Sequence, residues 1–202
     1  MKRLAFFGLL ALGIGAMHAA AAAEDVSRPD RAALTVARVE RAAVALAREG
    51  LSSPAAAAQL QNLQQSIDFE AFAQATLGAH WSSASDSERQ EFLRVLRDLL
   101  VNEIVRRAAR RDPGSLEYLS HRSLANGDQL LSTRRVSSND RATIVDWRLR
   151  RAGSTLRIVD IVVDGWSVMA SARQDFAGQL NLNGGSVAVL TATLRDRLLR
   201  PF

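Results

Sequence analysis

Arg141-Ala142-Thr143-Ile144-Val145-Asp146-Trp147-Arg148-Leu149-Arg150-Arg151-Ala152-Gly153-Ser154-Thr155-Leu156-Arg157-Ile158-Val159-Asp160-Ile161-Val162-Val163-Asp164-Gly165 is the stretch on which the fold turns. Its apolar residues alternate with polar ones, the period of a half-buried β-strand. Val145, Trp147 and Leu149 share a face opposite Asp146 and Arg148, and Val159, Ile161 and Val163 share a face opposite Asp160. Ala152-Gly153-Ser154 leaves room only for a tight turn between the two runs, so they pair antiparallel. Upstream, Asn126-Gly127-Asp128 and Ser137-Ser138-Asn139-Asp140 are further turn signals. They delimit strands at about 115–125, 129–136, 141–150 and 155–163, an antiparallel four-stranded meander with one apolar face.

On both sides of this block the period becomes helical. Leu34, Ala37, Val44 and Ala47 mark an amphipathic helix over 30–49, ended by Gly50, and Ser53-Pro54 opens a second as N-cap and first residue. Asp68 caps a short helix from Phe69 to Leu77, with Gly78 following it. Ser85-Asp86-Ser87-Glu88 is a capping box that launches a helix to about Arg111, stopped by Asp112-Pro113-Gly114. On that helix Phe92, Leu96, Leu99, Leu100, Ile104 and Ala108 form one stripe. Arg106, Arg107, Arg110 and Arg111 crowd its end, where cations complement the helix dipole or meet a lipid headgroup or partner. After the strands, Ser167 caps a helix to about Leu180, Asn183-Gly184-Gly185-Ser186 interrupts, and a last helix runs from Val187 to Leu199. Helices segregated before and after an antiparallel sheet define an α+β fold.

The first 23 of the 202 residues stand apart: Lys2 and Arg3, an apolar run from Leu4 to Ala16, then small residues to Ala21-Ala22-Ala23. This is the layout of a secretory signal peptide, too short to span a bilayer. Cleavage there leaves one domain, 24–202, in which all strong bases are Arg and the formal charge is +3. Such a charge favours anionic membrane surfaces without demanding nucleic acid. There is no cysteine, which rules out disulfides, thiol nucleophiles and lipid attachment at a mature N-terminal Cys.

Signs of catalysis are sparse. His80 and His121 are the two histidines beyond the leader, and no HExxH or comparable ligand spacing accompanies them. Gly165-Trp166-Ser167-Val168-Met169 lacks the second glycine of a nucleophile elbow, and Asn183-Gly184-Gly185 lacks the strand before and Lys after that a phosphate loop needs. Asp146 and Asp160, on adjacent strands, are the one carboxylate pair available to a small enzyme, and the plainer reading is that both are solvated or paired with Arg. Trp147-Arg148 and Trp166 are too few aromatics for a nucleic-acid platform. What stands out is apolar surface on two large elements, which fits either an ordinary core or a cavity holding something apolar.

Ile67-Asp68-Phe69-Glu70-Ala71-Phe72-Ala73, then Leu77-Gly78-Ala79-His80-Trp81 and Ser85-Asp86-Ser87-Glu88-Arg89-Gln90-Glu91-Phe92, are similar to the entrance to the long helix in the MlaC, or toluene-tolerance, family of periplasmic phospholipid-binding proteins. Val145 to Leu149, Leu156 to Ser167 and Ala172-Arg173-Gln174-Asp175-Phe176 resemble that family's later blocks in the same order, so that the likeness runs from Ile67 to Leu194. Leu156 and Ala172 stand where the family usually has Trp and Tyr, and an aromatic near the end of the long helix is missing. Asp160, Gly165, Ser167 and Arg173 match family blocks and read as structural, Arg173 as a partner for an acid such as Asp160.

The resemblance implies a monomeric, non-enzymatic carrier with no cofactor, whose cargo is a phospholipid. It would pass that cargo between an outer-membrane lipoprotein complex and an inner-membrane ABC transporter complex with its lipid-binding ring protein, maintaining outer-membrane asymmetry. A divergent branch associated with hopanoid synthesis would carry another lipid. Such a carrier has a physical rationale: an acyl chain of about sixteen carbons costs about 12 kcal/mol to hold in water. In a cavity between sheet and helices, the expected lining is Trp81, Phe92, Leu96, Leu99, Leu100 and Ile104 from the helical side and Val145, Trp147, Leu149, Val159, Ile161 and Val163 from the sheet side.

Overall fold

The computed structural model describes residues 31–110, 116–136 and 142–199. The leader expected at 1–23, the helix stop at Asp112-Pro113-Gly114 and the turn at Ser137–Asp140 lie outside them. Four helices precede the longest one: α1 (Arg31–Glu49), α2 (Ala56–Ser66), α3 (Phe69–Leu77), α4 (Ala79–Ser83) and then α5 (Asp86–Ala109). The sheet follows as β1 (Leu116–Ser123), β2 (Gln129–Val136), β3 (Ala142–Ala152), β4 (Thr155–Val163) and β5 (Trp166–Ser167), and α6 (Val168–Leu182) and α7 (Val187–Leu199) are the last described elements. Among the described residues no helix is long and apolar enough to cross a membrane.

Local chemistry sets most of these boundaries. Asp68 accepts from the Ala71 N–H at 3.0 Å at the start of α3, and Ser167 accepts from the Ala170 N–H at 2.9 Å at the start of α6. Both arms of the Ser85/Glu88 capping box form: the Glu88 N–H donates to Ser85 Oγ, and the Ser85 N–H donates to Glu88 Oε2. The start of α2 differs from expectation. It begins at Ala56 behind Ala55 with no side-chain cap, and Ser53 belongs to the preceding turn.

The sheet is the expected α+β meander, in the order β1-β2-β3-β4-β5, with each neighbouring pair antiparallel. It has five strands rather than four, because Asp164-Gly165 turns the chain back instead of ending the sheet. Asp164 at φ 48 and Gly165 at φ 85 adopt the left-handed backbone of a two-residue hairpin. A second departure lies inside β4. Arg148 pairs with Asp160 and Leu149 with Ile158, so Val159 is a bulged extra residue. The bulge reverses the alternation: Leu156 and Ile158 share the face of Trp147 with Ile161 and Val163. The α2–α3 connection clips on here, the Asp68 N–H donating to the Ile158 carbonyl at 2.9 Å.

Helices α1 and α2 cover the face of the sheet that carries Val145, Trp147 and Leu149, and one apolar cluster fills the space between. A second cluster joins α3, α6 and α7 around the first half of α5. The stripe expected on α1 is displaced from the buried one: Leu34 and Val44 are 49% and 36% exposed and Ala37 and Ala47 half-buried, while Ala32, Val36, Val39, Ala43 and Leu46 are buried.

Candidate functional site

Between α1, the second half of α5 and the face of β3 and β4 lies a cavity of about 320 Å³, within the range of small-molecule sites. Val39, Ala43, Val44 and Ala47 of α1 form one wall and Leu100, Ile104 and Ala108 of α5 a second. Val145 and Trp147 of β3, Ile161 and Val163 of β4 and the bulged Val159 form the floor. Ile67, Phe72 and Ile158 close the deep end and are all buried.

Trp147 is kept apolar toward this space by where its one polar atom goes. Its indole N–H donates to Thr133 Oγ1 at 2.9 Å, and the Thr133 hydroxyl donates to the Val145 carbonyl at 3.0 Å, both within the sheet. The ring therefore presents carbon alone. Asp160 is handled in the same way. Buried at 5% exposure, its Oδ2 accepts from the Ser167 hydroxyl at 2.6 Å and its Oδ1 from the Met169 N–H at 3.0 Å and the Ile161 N–H at 2.8 Å. It is neither solvated nor paired with Arg173, contrary to expectation. The acid caps α6 and ties it to β4.

Besides Asp160, the charged residues that line the cavity are Glu40, Arg48, Glu103, Arg107 and Arg135. Glu40 is ion-paired with Arg135, and Glu103 with Arg106 and Arg107. Burial pushes the Glu103 carboxyl up, but hydrogen bonds from Arg106 and Arg107, with their charge, outweigh it and hold it below the ordinary carboxylate range. A carboxylate so paired stays ionised and presents no free acid to catalyse with. Among the described residues no group of three or more His, Asp or Glu side chains is placed to hold a metal ion.

Of the residues expected at the site, the structure brings seven together around the cavity: Leu100, Ile104, Val145, Trp147, Val159, Ile161 and Val163. Five lie elsewhere. Phe92 and Leu96 are buried in the second cluster, where the Phe92 and Phe176 rings meet edge to face at 5.9 Å. Trp81 and Leu99 pack against that cluster from its margin, Trp81 with the Arg89 guanidinium over its ring. Leu149 is buried within the first cluster, away from the cavity wall. What sequence reasoning missed is the α1 wall. Its signal was the run of Ala and Val at 39, 43 and 47, three residues at helical spacing, small enough to leave space beside them.

The family model described as "MlaC protein" matches residues 49–196. The chain is also similar in structure to a phospholipid-binding protein from Ralstonia solanacearum, solved in complex with a phospholipid. The likeness has a TM-score of 0.70 at 20% identity and covers 84% of this chain and 95% of that one. No curated protein matches the sequence.

Proposed function

Because the chain belongs to the MlaC family, we propose that it is a carrier that holds the acyl chains of a phospholipid in the cavity between α1, α5 and the sheet. The observation that carries this reading is an apolar cavity left open inside a fold whose other cluster is filled. An empty apolar cavity weakens a protein in proportion to its volume, so one retained beside a well-packed core serves an occupant. The neighbour of like fold from Ralstonia solanacearum holds a phospholipid, which supports that occupant's class. The cargo is no cofactor, and the protein performs no reaction on it.

The wider role follows the family. With residues 1–23 removed as a signal peptide, residues 24–202 form a single monomeric periplasmic domain. It moves lipid between an outer-membrane lipoprotein complex and an inner-membrane ABC transporter complex with its ring protein. Leu100, Ile104, Val145, Trp147, Val159, Ile161 and Val163 contact the acyl chains, and the ion-paired rim at Glu40, Glu103 and Arg135 stays near the headgroup. Native mass spectrometry of the mature chain purified without detergent, with lipid extraction of the same sample, tests this. A bound diacyl phospholipid is the expected result. A chain that is empty and takes up no lipid from vesicles overturns the proposal, and a bound hopanoid replaces the cargo.

A further inference from the structure

One side chain is accounted for by neither apolar cluster and does not line the cavity. Trp166 is 77% exposed, although a large indole surface is costly to leave in water. It is held in place by its surroundings. The Asp164 N–H donates to the Ile144 carbonyl at 2.9 Å, and the Ile144 N–H donates back to Asp164 Oδ1 at 3.0 Å. On the other side Ser167 is fixed between Asp160 and the first turn of α6. The register places Val145, Val163 and Trp166 in one row across one face of the sheet. Val145, Val163 and the nearby Val168 line the cavity. Trp166 therefore stands at its rim.

A second feature lies along α1, which lines the same cavity. The outward face of that helix reads Arg31, Leu34, Arg38, Arg41, Val44 and Arg48, all exposed, and Val44 and Arg48 also line the cavity. Among the described residues no ion pair engages Arg38, Arg41 or Arg48, whereas Glu40 and Glu103 are already paired. Glu49 at the end of α1 offsets one of these arginines, and the charge left over along the helix is still positive. A helix face of arginines interleaved with aliphatic side chains suits an anionic headgroup layer, and an exposed tryptophan suits the boundary between headgroups and acyl chains.

We propose that the rim of the cavity docks on the surface of an anionic phospholipid bilayer, with Trp166 entering the headgroup region and the α1 arginines meeting the phosphates. The contact would hold the mouth of the cavity at the membrane in which its partner complexes sit. This rests on the carrier reading, since without a lipid cargo the bilayer contact has no purpose.

The chain has no cysteine, so Trp166→Cys supplies a single labelling site. A polarity-sensitive fluorophore there shifts to the blue on mixing with vesicles of phosphatidylglycerol and phosphatidylcholine. The same label at Leu182→Cys, which lies at the far end of α6, some 20 Å along the helix, does not. Unlabelled Trp166→Ala loses about tenfold or more in vesicle affinity. The double variant Arg38→Gln/Arg41→Gln loses roughly thirtyfold at low salt and approaches the wild type at high salt. Melting temperature and lipid bound in the native mass spectrum stay those of the wild type in both. Equal shifts of the two labels, no binding to vesicles, or binding that ignores both sets of substitutions overturns the docking. A wild-type chain with no lipid at all overturns the carrier reading instead, so the two failures are distinguishable.

Discussion

The two halves of α5 bury their apolar side chains in different ways. In the first half, Phe92, Val95 and Leu96 are enclosed by α3, α6 and α7, at 2% exposure or less. In the second, Leu100 and Ile104 are partly buried and face the cavity, with only Val101 fully covered. One helix thus belongs to a filled core at one end and to a hollow one at the other. The difference comes from what packs against it. Leu180, Leu190 and Leu194 of α6 and α7 are buried in the filled core, whereas α1 presents Ala43 and Ala47 to the hollow one. The lesson is that a cavity arises here from small residues on the partner helix, with no change in the apolar character of α5 itself.

The largest break in this comparison is Phe92→Ala. It removes a ring enclosed on every side and is expected to cost about 3–5 kcal/mol, read from denaturant unfolding, with lipid content unaffected in whatever remains folded. Next is Asp160→Ala, which leaves the Ser167 hydroxyl and the Met169 N–H without their acceptor. A loss of about 1–3 kcal/mol is expected, together with earlier hydrogen exchange at the start of α6. Ile104→Ala should cost only about 1 kcal/mol, because its side chain already borders open space. Ala43→Phe should shift stability by less than about 1 kcal/mol while filling the cavity, so that lipid carried per chain falls sharply. A loss as large as that of Phe92→Ala at either cavity position would mean that the second half of α5 is packed like the first.

The smallest effect belongs to neither cluster and serves as a control. Asp128, buried at the β1–β2 turn, accepts from Arg148 Nε at 2.7 Å, Arg150 Nε at 2.9 Å and Asn126 Nδ2 at 3.1 Å. Burial pushes its carboxyl up, but the Arg150 and Arg148 hydrogen bonds prevail and lower it from the ordinary 3.8. The stability this contributes is complete above that value and is lost as pH falls through the lower folded value. Asp128→Asn should therefore be less stable than the parent at neutral pH, and the gap should close below about pH 3.8, with lipid content equal throughout.

How much of this was legible in the sequence depended on range. Helix caps and turns are local, and Asp68, Ser85 with Glu88, Ser167 and the strands after Gln129 and Thr155 all stand where their chemistry places them. The bulge at Val159 was not legible, because an extra residue in one strand shows only against its partner. Unbroken alternation assigns Val159 to the face of Ile161 by parity and leaves Ile158 out of the site. Asp160 read as a surface acid for the same reason, since α6 folding back over it is a long-range event. The stripe on α5 merged residues of two clusters because both lie along one helix. Which of them borders empty space is set by Ala43 and Ala47, some sixty residues away.

Lipid is expected to occupy the hollow core and to leave the filled one alone. A phospholipid with a photoreactive diazirine in its acyl chain, loaded into the mature protein and irradiated, tests it directly by peptide mapping. Label on the segments carrying Val39 to Ala47, Leu100 to Ala108 and Val145 to Trp147 is the predicted result. Label concentrated on Phe92, Phe176 and Leu190, or scattered over the exposed surface, would contradict it.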